Sequence, residues 1–232
     1  MFSIRRHNER GHAFYGWLNS YHTFSFADYY DPKYVGFSAL KVINDDRVAP
    51  GAGFPTHGHR DMEIISYVLS GALEHKDSMG HGSVVRPGEI QVMSAGSGIS
   101  HSEYNHSDGE PLRFLQIWIQ PNTSGLKPGY SQYALPEAER RGRWRLIADQ
   151  SGREGVAVIH QDAKIYATLL HAGDSVEYKL ADDRRAWVHI AKGEASLNGH
   201  QLYEGDGVAI QSEAKFRLSC VTGAEALLFD LP

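Results

Sequence analysis

Two short patterns in this chain set metal-ligating side chains two residues apart: His57-Gly58-His59 and His101-Ser102-Glu103. In an extended strand, side chains at that spacing share a face with their origins ~6.6 Å apart, so each pair can converge on one ion. Two such pairs on neighbouring strands offer three imidazole nitrogens and one carboxylate oxygen. That donor set suits Fe(II), Mn, Co, Ni, Cu or Zn and leaves coordination positions open. His57, His59 and His101 are therefore candidate ligands. Two carboxylates compete for the fourth position. Glu103 stands two residues after His101, and Glu63 shares the face of residues 57, 59 and 61 if that strand stays regular. Gly51, Gly53 and Pro55 read as a loop entering the first strand, and Gly96-Ser97-Gly98 allows a tight approach to the second. No nucleophile triad or phosphate-binding glycine loop is readable elsewhere.

The elements that must carry these pairs read as strands. Glycine, at 24 residues, punctuates the chain at short intervals. Between the glycines lie apolar, β-branched or aromatic runs at 38–43, 63–69, 90–94 and 113–119, a texture that favours a β-sandwich or barrel. Asn44-Asp45-Asp46, Asp77-Ser78-Met79-Gly80 and Arg86-Pro87-Gly88-Glu89 read as turns. Residues 121–144 are loop-like, and Pro136 fits the first position of a short helical turn. The interrupted run Arg140, Arg141, Arg143 and Arg145 reads as a solvated face. Strand texture resumes at 156–160, 166–170, 186–190, 208–211, 216–221 and 226–229. Tyr203-Glu204-Gly205-Asp206-Gly207 echoes the earlier turn at 86–89, which suggests a duplicated barrel. The expected architecture is all-β, with a barrel over 1–130, a linker over 131–145 and a second barrel over 146–232.

Composition bounds the function. The 232 residues are 41% hydrophobic and 22% charged, with a net charge of −5, ordinary for a globular protein. The acidic balance speaks against direct nucleic-acid binding. A single cysteine, Cys220, precludes an internal disulfide and reads as a small buried hydrophobe. The first residues lack an apolar signal segment, and no apolar run approaches the ~20 residues of a membrane span. A cytoplasmic monomer is expected.

Gly51-x5-His57-x-His59-x3-Glu63 resembles the first cupin motif, and Gly96-x-Gly98-x2-His101-x3-Asn105 the second. The wider pattern is similar to the pirin family. It includes His57 to Glu63, His75-Lys76-Asp77-Ser78-Met79-Gly80, Met93 to Glu103, Thr23-Phe24-Ser25-Phe26 and Tyr30-Asp31-Pro32. The resemblance implies a bicupin, two jelly-roll-like barrels in tandem, with metal only in the N-terminal one. It implies His57, His59, His101 and Glu103 as ligands of one divalent ion, Fe(II) foremost, with Glu103 also the catalytic base and Glu63 an outer residue or a partner of Arg60. It further implies a dioxygenase that opens the heterocyclic ring of flavonols such as quercetin with O2 and releases CO. The alternative is an iron-dependent redox-sensing binding protein. Phe54, Met93 and Phe37 are expected to wall a planar substrate. His75 is read as a half-exposed strand residue, with the barrel lumen as its other placement.

Overall fold

A computed structural model describes residues 1–232 and is built almost wholly of strands. The first part of the chain forms β1 (Phe2–Arg5), β2 (Gly11–Phe14), β3 (Leu18–His22), β4 (Leu40–Val48), β5 (Gly53–His59), β6 (Glu63–Ser70) and β7 (Leu73–Asp77). It continues with β8 (Gly82–Val85), β9 (Glu89–Ser94), β10 (Ile99–Asn105), β11 (Leu112–Ile119) and β12 (Gly129–Ala134). The short helix α1 (Glu137–Arg140) leads to β13 (Arg145–Asp149), β14 (Ala157–Val158), β15 (Lys164–His171) and β16 (Ser175–Lys179). The chain ends with β17 (Arg185–Leu197), β18 (His200–Tyr203), β19 (Gly207–Gln211) and β20 (Lys215–Leu231). No helix is long and apolar enough to cross a membrane.

The N-terminal unit is a sandwich. A seven-stranded sheet, ordered β12-β9-β6-β11-β4-β3-β2, faces a four-stranded sheet ordered β5-β10-β7-β8. The C-terminal strands form one nine-stranded sheet, and β1 crosses to pair with β19 within it. The chain's first strand thus joins the second unit rather than its sequence neighbours.

The largest apolar cluster lies between the two units. Ile43, Ile65, Leu115 and Ile117 of the seven-stranded sheet pack with Ile165, Trp187, Leu227 and Phe229 of the nine-stranded one. Alternation along the strands explains this. On β6, Ile65, Tyr67 and Leu69 belong to that cluster, whereas Ile64 and Val68 belong to clusters on the other side. The central strands β9, β6, β11 and β4 of the large N-terminal sheet are buried on both faces, one toward the second unit and one toward its own lumen.

Several expectations are corrected. Asn44-Asp45-Asp46 is the middle of β4, not a turn. These polar residues are tolerated because they are met. Asp45 accepts two hydrogen bonds from Arg113, at 2.9 and 3.0 Å, with Arg10 and Arg47 nearby, and Asn44 pairs with His22. Arg140 is buried rather than solvated. Its Nη1 reaches Tyr67 Oη at 2.7 Å and Glu225 Oε1 at 3.0 Å. Pro136 is the N-cap of α1 rather than its first helical residue. The runs at 216–221 and 226–229 belong to one continuous strand, β20.

Candidate metal centre

The two ligand-bearing strands are direct neighbours: β5 pairs antiparallel with β10, and His57 lies opposite His101. The register then slips. Glu103 stands opposite Phe54, so three steps on β5 match two on β10. That is a bulge at Pro55-Thr56, a position where a residue lacking an N–H is tolerated and where a bulge re-aims neighbouring side chains. The Pro55 carbonyl accepts a hydrogen bond from His57 Nδ1 at 2.8 Å. A carbonyl can only accept, so the proton sits on Nδ1 and the His57 Nε2 lone pair is left for a metal.

The three imidazoles converge. Their ring centroids are 4.8 Å apart for His57–His59, 4.5 Å for His57–His101 and 5.0 Å for His59–His101. Their ligand atoms all lie within 4.8 Å of one another. His59 Nε2 and both ring nitrogens of His101 are buried without a hydrogen-bond partner in the protein. Such orphaned atoms carry a desolvation cost that a coordinated ion would offset. Burial, aided by the charge of neighbouring histidines, lowers His59 to about 4 and His101 to about 3. Both are neutral at pH 7, the state a metal requires. The donor set therefore fits a divalent transition ion.

Glu103 lies fully buried behind this triad and outside its closest set. Ser66 Oγ donates to one carboxylate oxygen at 3.0 Å and Gln116 Nε2 to the other at 3.1 Å. Burial raises its pKa. Asp46, also buried, is raised to about 7 by desolvation, with the Glu103 charge adding to it. Glu63 is elsewhere. Asp61 adopts φ +50°, which breaks the regular alternation from residue 57. Glu63 then shares a face with Ile65 and Tyr67, accepts from Ser94 Oγ at 2.7 Å, and meets His160 Nδ1 at 3.2 Å. Arg60 is not its partner among the ion pairs.

His75 is fully buried beside the site, not half-exposed, with its ring 5.4 Å from His101. Asp77 and Gln91 hold its two nitrogens, at 3.2 and 3.1 Å. Of the expected wall residues, Met93 packs with Ile64 and Ile99. Phe54 packs edge-on against Trp17 at 5.2 Å. Phe37 lies against Trp187 at the junction of the two units, away from the lumen. Sequence reading missed Trp118, whose ring meets His59 at 5.1 Å, and Phe26, which meets Trp118 at 5.5 Å. Trp118 sits two residues after Gln116 on β11, and that alternation was the available signal.

The whole chain also resembles known proteins. Residues 3–119 match a family model described as Pirin, and residues 146–231 match one described as the quercetinase C-terminal cupin domain. The chain is 46% identical over 232 residues to a quercetin 2,3-dioxygenase of Escherichia coli K12, covering 100% of this chain and 99% of that one. It is 40% identical over 231 residues to a pirin-like protein of Caulobacter vibrioides, covering 99% of each. The crystal structure of bacterial pirin YhhW from Escherichia coli in complex with nickel(II) superimposes with a TM-score of 0.95 at 46% identity, covering 100% of this chain and 99% of that one.

Proposed function

The chain belongs to the pirin family, and from that premise we propose that it is a metal-dependent dioxygenase. It opens the heterocyclic ring of a flavonol such as quercetin with O2 and releases CO. The observation that carries this reading is the convergence of His57, His59 and His101, with buried unpartnered nitrogens, in a chain aligned end to end with a quercetin 2,3-dioxygenase. The same alignment favours the enzyme over a redox-sensing binding protein.

His57, His59 and His101 hold the ion in the N-terminal unit, and Glu103 completes the set. The bound ion supplies Lewis acidity and positions for substrate and O2. Fe(II) is the metal we assign, and the nickel bound by the YhhW relative fits the same ligands. Glu103 accepts the proton of the flavonol hydroxyl. Ser66 and Gln116 fix the orientation of that carboxylate. Trp118, Ile64, Met93 and Ile99 make an apolar rim that excludes water around the reacting ring.

The test is anaerobic loading with Fe(II), Ni(II) or Mn(II), followed by quercetin and O2. Loaded protein is expected to consume both, and metal-free protein neither. Loaded protein inert toward several flavonols would overturn the reading.

A further inference from the structure

The wall of the N-terminal lumen carries a row of polar side chains outside the ligand set. His22, Asn44, Gln116, Ser66 and Gln91 stand directly opposite one another on five successive strands, β3, β4, β11, β6 and β9. All five are buried. The next row toward Trp118 is apolar, with Val42, Trp118, Ile64 and Met93 in register. A buried polar group is costly unless it is hydrogen-bonded, and each of the five has a partner. Gln116 and Ser66 donate to Glu103, and Gln91 meets His75. The Asn44 side chain meets His22, with 2.8 Å between its Oδ1 and the ring Nδ1. One arm of the row therefore leads from Glu103 through two amides to His22.

The ends of that arm fix its direction. A ligating carboxylate is ionised and only accepts, so Gln116 gives Glu103 its Nε2 and keeps its Oε1 free. Asn44, opposite on β4, has the matching donor free, because its Oδ1 is on His22. Side chains paired in this way have Cβ atoms ~5 Å apart, within reach of a direct hydrogen bond or one bridging water. An amide oxygen likewise only accepts, so His22 carries its proton on Nδ1. Ser20 Oγ, 3.5 Å from the same nitrogen, can share that proton. Phe26 and Tyr29 flank the His22 ring at 5.4 and 6.3 Å and hold its plane. Burial lowers the His22 pKa, which favours the neutral ring. Reversing the amides would set the Gln116 oxygen against the Glu103 carboxylate.

We propose that His22 is a positioning residue of the metal centre: its Nδ1–H orients the Asn44 amide, which orients the Gln116 amide, which holds the Glu103 carboxylate for the ion. The inference rests on the reading of Glu103 as the fourth ligand. His22 acts through Glu103 alone, so its effect on the metal disappears when Glu103 is replaced.

The experiment follows Co(II) affinity by chelator competition, and the visible spectrum of the Co(II)-loaded full-length protein. The variants are His22→Leu, His22→Asn, Glu103→Gln and the His22→Leu/Glu103→Gln double variant. His22→Leu has no donor. It is expected to weaken Co(II) about tenfold, the lower end for losing an outer partner of a ligand, and to shift the bands. His22→Asn sets an N–H where Nδ1 lies and is expected to restore both. In the Glu103→Gln background, His22→Leu is expected to change nothing further. Wild-type affinity and bands in His22→Leu, no rescue by His22→Asn, or an undiminished effect in the Glu103→Gln background overturns the proposal. If the His22 variants do not fold, nitrogen NMR of the histidines in the Zn(II)-loaded wild type decides. A proton on His22 Nδ1 supports the proposal, and one on Nε2 overturns it. The ligand reading fails separately: Glu103→Gln with wild-type affinity and bands removes Glu103 from the ion and the proposal with it. A Glu103→Gln effect without a His22→Leu effect removes the proposal alone.

Discussion

At the residue scale, the site depends on imidazoles held neutral and aimed. His57 is fixed in one tautomer by the Pro55 carbonyl, and His59 and His101 are kept unprotonated by burial. His57→Ala is expected to abolish stoichiometric metal binding, read by elemental analysis of the purified variant; full occupancy would contradict the ligand assignment. Glu103→Gln keeps the shape and one of the two oxygens that accept from Ser66 and Gln116 but removes the base. It is expected to lower kcat/KM for quercetin about 100-fold. Glu63→Gln, on the other face of β6, is expected to cost less, and the reverse ranking would reassign the carboxylate. A second histidine shows how burial shapes stability. His189 is 1% exposed, has no hydrogen-bond partner for either ring nitrogen, and is lowered to about 3 by desolvation and then by Arg10. Below its unfolded pKa the unfolded chain binds the proton that the folded chain refuses. The stability it allows is therefore full above pH ~6.5 and lost as pH falls toward 3. Urea titrations at pH 7 and pH 5 are expected to show the wild type losing up to about 2 kcal/mol more than His189→Phe over that interval.

At the element scale, strand pairing decides which side chains meet. The period-two spacing of His57/His59 and His101/Glu103 was legible in the sequence, because alternation is a property of a single strand. The bulge at Pro55-Thr56 was not, since a bulge exists only relative to its partner strand β10. Glu63 was misplaced for a related reason: one left-handed residue, Asp61, ended the regularity assumed across 57–63. Asn44-Asp45-Asp46 and Arg140 were misread because their burial is compensated from afar. Arg113 answers Asp45, and Glu225 answers Arg140. Nothing in the local sequence announces such partners. The close pairing of β5 and β10 also yields a prediction. A Cβ at Gly53 would lie 2.3 Å from the Glu103 carbonyl oxygen and 2.5 Å from Tyr104 Cα, both backbone atoms that cannot swing away. Gly53→Ala is expected to destabilise the protein by about 1–3 kcal/mol and weaken metal affinity with it. Chelator competition and urea unfolding check the two effects, and a variant with wild-type values for both would contradict the tight pairing.

At the scale of the whole molecule, the two cupin units share their largest apolar cluster across the seven- and nine-stranded sheets, and β1 ties the chain's start to the second unit. The all-β, two-unit plan was readable from glycine-punctuated strands and the family resemblance. The shared core was not, because a strand buried on both faces does not reveal what covers each side. The second unit supports the first by covering the outer face of the sheet whose inner face lines the metal site. Leu227→Ala is expected to cost about 2–5 kcal/mol and to shift a single calorimetric transition for the whole chain. Two transitions, with only the later strands affected, would contradict the shared core. The central claim is that the His57, His59, His101 and Glu103 site turns over a flavonol by ring-opening dioxygenation. Its most direct test is the CO released per quercetin consumed by the metal-loaded protein. One CO per quercetin, abolished in His57→Ala, is the expected result; quercetin loss without CO, or CO release that persists in that variant, would contradict it.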